Sequence, residues 1–311
     1  MLLQQLALLE GLDLAALDPE GPEFVHTVVE TMKLAFADRE AYYGDPACVD
    51  VPLEALLGRA YSAARQTLLG ERASLLQRPG VLPGFEAQAA RAFAHLEDKH
   101  DFAALASTEL INAGLGEKRG DTCHIDVVDR DGNMVSATPS GGWLQSSPVI
   151  PALGFPLGSR AQMFWLKEGL PGSLAPGKRP RTTLSPTLAL RDGEPYMAFG
   201  TPGGDQQDQW QLVFFLYHAV YGKHLQAAVD APCFHTEHFP GSFYPRAARP
   251  GSLFIEDRFA SRTIEALRAR GHDVTVQDGW SIGRMCAVAR EGGILKGAAS
   301  PRMMQAYVVG R

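Results

Sequence analysis

The sequence has few cysteines and no cysteine pair. Cys48, Cys123, Cys233 and Cys286 stand far apart with no CxxC spacing. That pattern argues against a disulfide framework or a zinc site and fits reduced thiols in a reducing compartment. There is no excess of positive charge either. Twenty-nine Lys and Arg against 35 Asp and Glu leave a net charge of −6, which argues against nucleic acid or an anionic membrane surface as the main partner. No apolar run reaches transmembrane length. The opening Met1-Leu2-Leu3-Gln4-Gln5-Leu6 stretch lacks a basic n-region and a clear small-residue cleavage site, so no signal peptide is expected and the expected location is cytoplasmic. No Gly-Lys-Ser/Thr follows a glycine-rich turn, which leaves a P-loop without support.

What is present is ordinary in bulk. A chain of 311 residues with 45% hydrophobic and 21% charged residues can bury a substantial core as one large domain or two modest ones. Leu2, Leu3, Leu6 and Leu9 recur at helical spacing, as do Phe24, Val28, Met32, Ala35 and Phe36, with a Pro/Gly-rich break at residues 18–22 between them. Further helices are expected near Leu53 and over 86–96. The weakly patterned stretch from about 75 to 120 is of a kind that is often functional or processed. Beyond it the period changes to two. Ile125, Val127 and Val128 predict a strand, turned at Asp131-Gly132 into residues 134–138. A second hairpin pairs 187–190 with 196–199. Helices over about 205–221, 225–229 and 258–270 and strands at 273–276, 286–290 and 294–298 complete an α+β reading, with clustered helices followed by antiparallel hairpins.

Three segments carry chemistry. Thr122 opens the first strand segment in Gly120-Asp121-Thr122-Cys123-His124. A strand threonine is usually only that. It becomes a nucleophile when a base removes its hydroxyl proton, and cutting the chain before it supplies one as a new α-amino group. Gly203 and Gly204, just before a helix, suit either an oxyanion hole or a tight strand-to-helix turn. Lys178-Arg179-Pro180-Arg181-Thr182-Thr183 sets cations beside two hydroxyls, which fits a carboxylate site, although taken alone it reads as a solvated basic loop. His235 and His238, near Cys233 and Glu237, lack a second ligand group at a recognised spacing and are expected as surface or core histidines. No metal and no cofactor are expected. Asp38, Arg39 and Glu40 are expected to form surface ion pairs of little weight near a helix end.

These motifs occur together and in order: Met32-Lys33-Leu34-Ala35-Phe36-Ala37-Asp38-Arg39, Tyr43-Gly44-Asp45-Pro46, Asp121-Thr122, Asp129-Arg130-Asp131-Gly132-Asn133, Lys178-Arg179-Pro180, Ser185-Pro186-Thr187 and Pro202-Gly203-Gly204. With them the chain resembles the γ-glutamyltranspeptidase (glutathione hydrolase) family of N-terminal-nucleophile hydrolases. The resemblance implies a four-layer αββα sandwich, incomplete at the N-terminus, because the family's large subunit extends well upstream and there supplies sheet strands and a carboxylate-binding arginine. It implies that residues 1–121 are the C-terminal part of a large subunit plus linker and 122–311 a small catalytic subunit. The precursor would cut itself before Thr122, and the two pieces would stay associated. Thr122 would be the nucleophile, Ser140 its supporting hydroxyl, and Gly203 and Gly204 the oxyanion hole. Thr182 and Thr183 stand where the family has a serine pair for the substrate α-carboxylate. Gln162 and Trp165 fall on the substrate side, with Trp165 at the place of the family's aspartate for the substrate α-amino group. Gly142 replaces a usual polar side chain. The expected substrate is a small γ-glutamyl or acyl amide and the acceptor water or an amine. An acylase of the same scaffold without α-amino recognition, and an inactive remnant or binding protein, are the alternatives.

Overall fold

The structure, a computed structural model, describes residues 1–94, 122–142, 147–243 and 246–310. In chain order the elements are α1 (Leu2–Leu9), α2 (Pro22–Tyr42), α3 (Leu53–Leu56), α4 (Arg59–Gln66), α5 (Glu86–Ala94), β1 (Ile125–Val128), β2 (Met134–Ala137), β3 (Val149–Ile150), β4 (Phe155–Pro156), β5 (Thr187–Arg191) and β6 (Glu194–Gly200). They continue with α6 (Gln207–Ala219), α7 (Leu225–Asp230), β7 (Phe234–His235), β8 (Ser252–Glu256), α8 (Ser261–Ala269), β9 (Asp273–Gln277), β10 (Cys286–Glu291) and β11 (Ile294–Ala299).

Both expected hairpins form. At the first, the Asp129 carboxylate accepts the backbone N–H groups of Asp131 and Asn133, each at 2.9 Å. Gly132 adopts φ +91° there, and the Arg290 guanidinium fills the space a Cβ would need, so only glycine serves. The second turns through Asp192 and Gly193, both at positive φ, which matches the right-handed twist of the flanking strands.

Strands β5, β6, β10 and β11 form one antiparallel sheet in the order β11-β10-β6-β5. On one face Met197 and Phe199 pack under α6, with the Phe199 ring 5.4 Å from Phe214 and 5.8 Å from Phe215. The other face receives the β1–β2 hairpin. Ser136 Oγ donates to the Phe199 carbonyl and accepts the Thr187 N–H, both at 3.2 Å, and the His124 ring lies against Gly200. Helix, sheet and hairpin therefore stack as three layers. A separate sheet, β7-β8-β9, holds a parallel β8–β9 pair connected through α8. The antiparallel expectation misses this pair because all five residues of β8 are buried, and a strand buried on both faces shows no alternation.

Helix α2 runs through the middle. Every residue from Phe24 to Tyr42 except Thr27 is buried. Its Phe24, Val25, Val28, Val29, Met32 and Phe36 share one core with β6, α6, α7 and β8. This corrects the expectation for Asp38, Arg39 and Glu40: they lie in the interior, not at the surface. The reason is that α1, α4 and α5 pack around α2, so its polar face is enclosed as well as its apolar one. Each buried charge therefore requires a partner. Asp38 accepts from Gln4 at 2.7 Å, Tyr61 at 2.8 Å and the Gly80 N–H at 2.7 Å, and pairs with Arg65 at 3.3 Å.

Phe36 of α2 stacks on Phe239 at 3.8 Å between ring centroids, joining the first part of the chain to the last. Phe36→Ala is expected to lower stability by about 3–5 kcal/mol, read as a lower urea midpoint. An unchanged midpoint would show that this stack does not hold the two parts together.

Candidate active site

Thr122 lies three residues before β1, half-buried, at the open end of the hairpin. Residues beyond β2 return alongside it. The Cys123 N–H donates to the Pro139 carbonyl at 3.1 Å, and Thr122 Oγ1 sits 2.7 Å from Ser140 Oγ. The structure thus brings together the expected nucleophile and its supporting hydroxyl. Asp121, the other side of the expected cleavage bond, lies outside the described residues. Behind Thr122, His124 bridges Thr138 and Asp126, with both contacts at 2.8 Å, and holds the base of the hairpin against the sheet.

Gly203 and Gly204 follow β6 and lead into a 3-10 turn over Gly204–Gln206, which passes into α6. Both have positive φ, +147° and +58°, and the Trp210 ring occupies the space a Cβ on Gly203 would need. Among the described residues neither backbone N–H of this pair has an acceptor. Two amides left without protein partners at the mouth of a helix can take an anionic oxygen.

The residue that follows, Asp205, went unremarked in the sequence. Its carboxylate accepts the Ser242 N–H at 2.7 Å and the Ser242 hydroxyl at 2.6 Å, and it forms an ion pair with Arg39 of α2. Arg39 also pairs with Glu40 at 2.8 Å, and Glu40 with Arg181 at 2.9 Å. Two guanidinium and two carboxylate groups thus form a buried cluster beside the glycine turn. Burial pushes the Asp205 and Glu40 carboxyls up, but the arginines outweigh it, and both lie below their ordinary values. The solvated-loop reading of the basic segment is corrected accordingly. Arg181 is largely enclosed, and Arg179, though exposed, makes a 2.7 Å ion pair with the buried Asp45.

Of the expected carboxylate hydroxyls, Thr183 is buried with no partner for its Oγ1, while Thr182 is exposed and its Oγ1 accepts the Leu184 N–H at 3.1 Å. Gln162 is exposed, and Trp165 is half-buried. Arg246, another residue that the sequence did not flag, lies over the Trp165 ring at 4.1 Å and donates to the Gln162 and Phe164 carbonyls at 3.1 and 2.6 Å. Gly142 adopts φ +86° against the backbone of Gly158.

His235 and His238 are core histidines, and burial pushes both pKa values down to about 3. A different group, His26, Glu30 and His272, converges among the described residues. Its atoms already bond within the protein: Glu30 to Lys33 at 2.6 Å and Arg78 at 2.9 Å, and His26 to His272 at 2.8 Å. No helix of the described residues is long and apolar enough to cross a membrane.

The fold is mixed in helix and sheet, and its likeness to known proteins identifies its family. The chain belongs to the gamma-glutamyltranspeptidase family, whose model, described as Gamma-glutamyltranspeptidase, matches residues 1–310. It is similar to the glutathione hydrolase-like YwrD proenzyme of Bacillus subtilis (strain 168), 31% identical over 301 residues that cover 96% of this chain and 49% of that protein. Among solved structures it is similar to LmbA2991, at 55% identity and a TM-score of 0.86 over 100% of this chain and 52% of that one. It is also similar to the cephalosporin acylase of Bacillus halodurans, at 26% identity and a TM-score of 0.74 over 97% of this chain and 47% of that one. The chain spans about half the length of these relatives.

The charge cluster gives a direct test. Asp205→Asn leaves two buried guanidinium groups, Arg39 and Arg181, sharing the single carboxylate of Glu40 and is expected to lower stability by about 3–5 kcal/mol. Because the folded carboxyl values are depressed, Asp205 and Glu40 contribute stability above their unfolded values of about 4, and this is lost as pH falls through the lower folded ones. Urea midpoints measured from pH 7 to 3 should therefore fall on acidification less steeply for Asp205→Asn than for the unmodified protein. Parallel curves would mean that Asp205 carries no such linkage.

Proposed function

We propose that this chain carries the catalytic centre of a self-processing enzyme that cleaves γ-glutamyl or related acyl amide bonds through a threonine acyl-enzyme. The observation that carries the reading is the 2.7 Å contact between Thr122 Oγ1 and Ser140 Oγ at the open end of the hairpin. Cleavage before Thr122 frees its α-amino group, which titrates near about 7.7–8.0 and so takes the hydroxyl proton at neutral pH. Thr122 Oγ then attacks the substrate carbonyl carbon. The oxygen becomes negative and is held by the Gly203 and Gly204 N–H groups. Collapse breaks the C–N bond, and the departing amine takes the proton from the α-ammonium. Water or an acceptor amine repeats the sequence on the ester, releasing acid or a new amide and restoring the threonine.

Residues 1–121 and 122–311 would be the two pieces. Their continued association is supported by the shared core and by ion pairs across the cut, Arg39 with Asp205, Asp45 with Arg179 and Glu40 with Arg181. The hairpin and the four-stranded sheet would be the inner layers of a four-layer αββα sandwich. In support, the hairpin's outer face presents Ile125, Val127 and Val135 to solvent, an apolar face that a second helical layer would cover. Thr183, with its buried unpartnered hydroxyl, is the member of the threonine pair best suited to a substrate carboxylate. A second reading, an acylase without α-amino recognition, is favoured by the Arg246–Trp165 stack where the resemblance would put an ammonium-binding carboxylate.

Intact-mass measurement on purified protein tests the proposal. The expected result is two pieces, 1–121 and 122–311, with Thr122→Ala remaining a single chain. An uncut native protein, indistinguishable from Thr122→Ala, would reject self-processing. Gly203→Ala, which drives a methyl into Trp210, is expected to lower kcat toward an acyl anilide by about 10²–10³, the scale of one lost oxyanion donor. A kcat within twofold of the native value would remove the glycine turn from the mechanism.

A further inference from the structure

The contacts around Thr122 form a continuous wall. Ser140, beside Thr122 Oγ1, is followed by Gly141, which lies against Ser159 and Arg160. Arg160 sits over the Phe243 ring at 5.4 Å, and Phe243 lies against Gly204. The Arg246 N–H donates to the Phe243 carbonyl at 2.7 Å. The Arg246 guanidinium then reaches the segment that carries Gln162 and Trp165. Arg246 is therefore linked, through Phe243 and the 159–164 segment, to the residues that flank Thr122.

Its partners are all neutral. It donates to the carbonyls of Ser242 at 3.1 Å, Gln162 at 3.1 Å and Phe164 at 2.6 Å, and its flat face covers the Trp165 indole. Among the described residues no carboxylate forms an ion pair with it. Asp205 and Glu40, the nearest acids, are engaged by Arg39 and Arg181. Burial without a paired anion pushes its pKa down to about 10, still cationic at neutral pH. The indole face that a substrate ammonium would need is occupied by a fixed cation.

We propose that Arg246 is a specificity-determining residue that excludes acyl groups bearing an α-ammonium and admits those that are otherwise the same but lack it, as glutaryl differs from γ-glutamyl. This rests on the proposed acyl-amide reading and names the substrate class of that site. The physical basis is repulsion between like charges in a partly desolvated wall, where one such interaction is strong enough to decide between substrates.

Two experiments test it, one of them independent of turnover. In the native protein, to which glutarate and L-glutamate offer no amide to cleave, calorimetric titration should show glutarate binding about tenfold tighter than L-glutamate, the scale of one charge–charge interaction near a protein surface. Arg246→Met, which keeps length but removes charge, should erase that difference, while Arg246→Lys should retain it. In the active protein, the ratio of kcat/KM for glutaryl over γ-glutamyl anilide should shift in the same direction. Equal or tighter glutamate binding, or a preference that survives Arg246→Met in protein with a native melting curve, overturns the proposal. If neither anilide is cleaved, the threonine mechanism fails, and the titrations still decide the role of Arg246.

Discussion

The interaction on which the rest of the molecule depends is the buried ion pair between Arg39 and Asp205. Arg39 comes from the last turn of an enclosed helix, and Asp205 from the residue after the glycine turn. Neither group can be inside unpaired, since an isolated charge in such surroundings costs several kcal/mol. The pair therefore fixes where α2 stands relative to the end of β6. Glu40 and Arg181 extend the arrangement to the threonine-bearing loop, and Ser242 extends it to the loop that ends at Arg246. Four segments distant in sequence are thus referred to one electrostatic centre beside the glycine turn.

The second constraint is the unusual polarity of the hairpin. Its inward side chains are His124, Asp126, Ser136 and Thr138, joined to one another and to the sheet by hydrogen bonds. Its outward ones are Ile125, Val127 and Val135. An interface between two sheets made of directional bonds specifies register more strictly than apolar packing does, because a slip of one residue leaves each polar group unsatisfied. That strictness is transmitted to the open end of the hairpin, where Thr122 and Ser140 meet. Precise placement of a nucleophile is therefore set by buried polar contacts behind it, not by the loop that carries it.

Much of this was legible in the sequence, and what was missed shares a cause. Both hairpin turns are local events, written in Asp131-Gly132 and Asp192-Gly193, and the sequence places them correctly. The contact of Thr122 with Ser140 follows from the first turn, since the hairpin register brings the residue before one strand next to the residue after the other. What could not be read was long-range. Asp38, Arg39 and Glu40 look like a surface run because, apart from the Arg39–Glu40 contact, their partners lie 23 to 201 residues away, and a charged residue with a distant partner has no local mark. Strand β8 escaped for the opposite reason: burial on both faces erases the alternation that identifies a strand. Arg246 lies among prolines and glycines with no periodicity, so only its contacts reveal it.

These observations also separate two properties of the site. In the proposed mechanism the chemistry rests on a hydroxyl pair and two backbone amides, groups whose function does not depend on the identity of the acyl chain. In the same proposal the charge environment of the acyl side rests on other side chains, Arg246, Trp165 and Thr183. Backbone donors and a threonine can therefore be retained while the side chains around the acyl group change. Relatives of this chain include proteins named both as glutathione hydrolases and as acylases, which is what such a division allows. The glycine turn anchors the division physically. Its amides are held by the Arg39–Asp205 pair on one side, and on the other Phe243 connects it to Arg246. On the proposed reading, a substitution at Arg246 would alter which acyl group is accepted without moving the Gly203 and Gly204 amides.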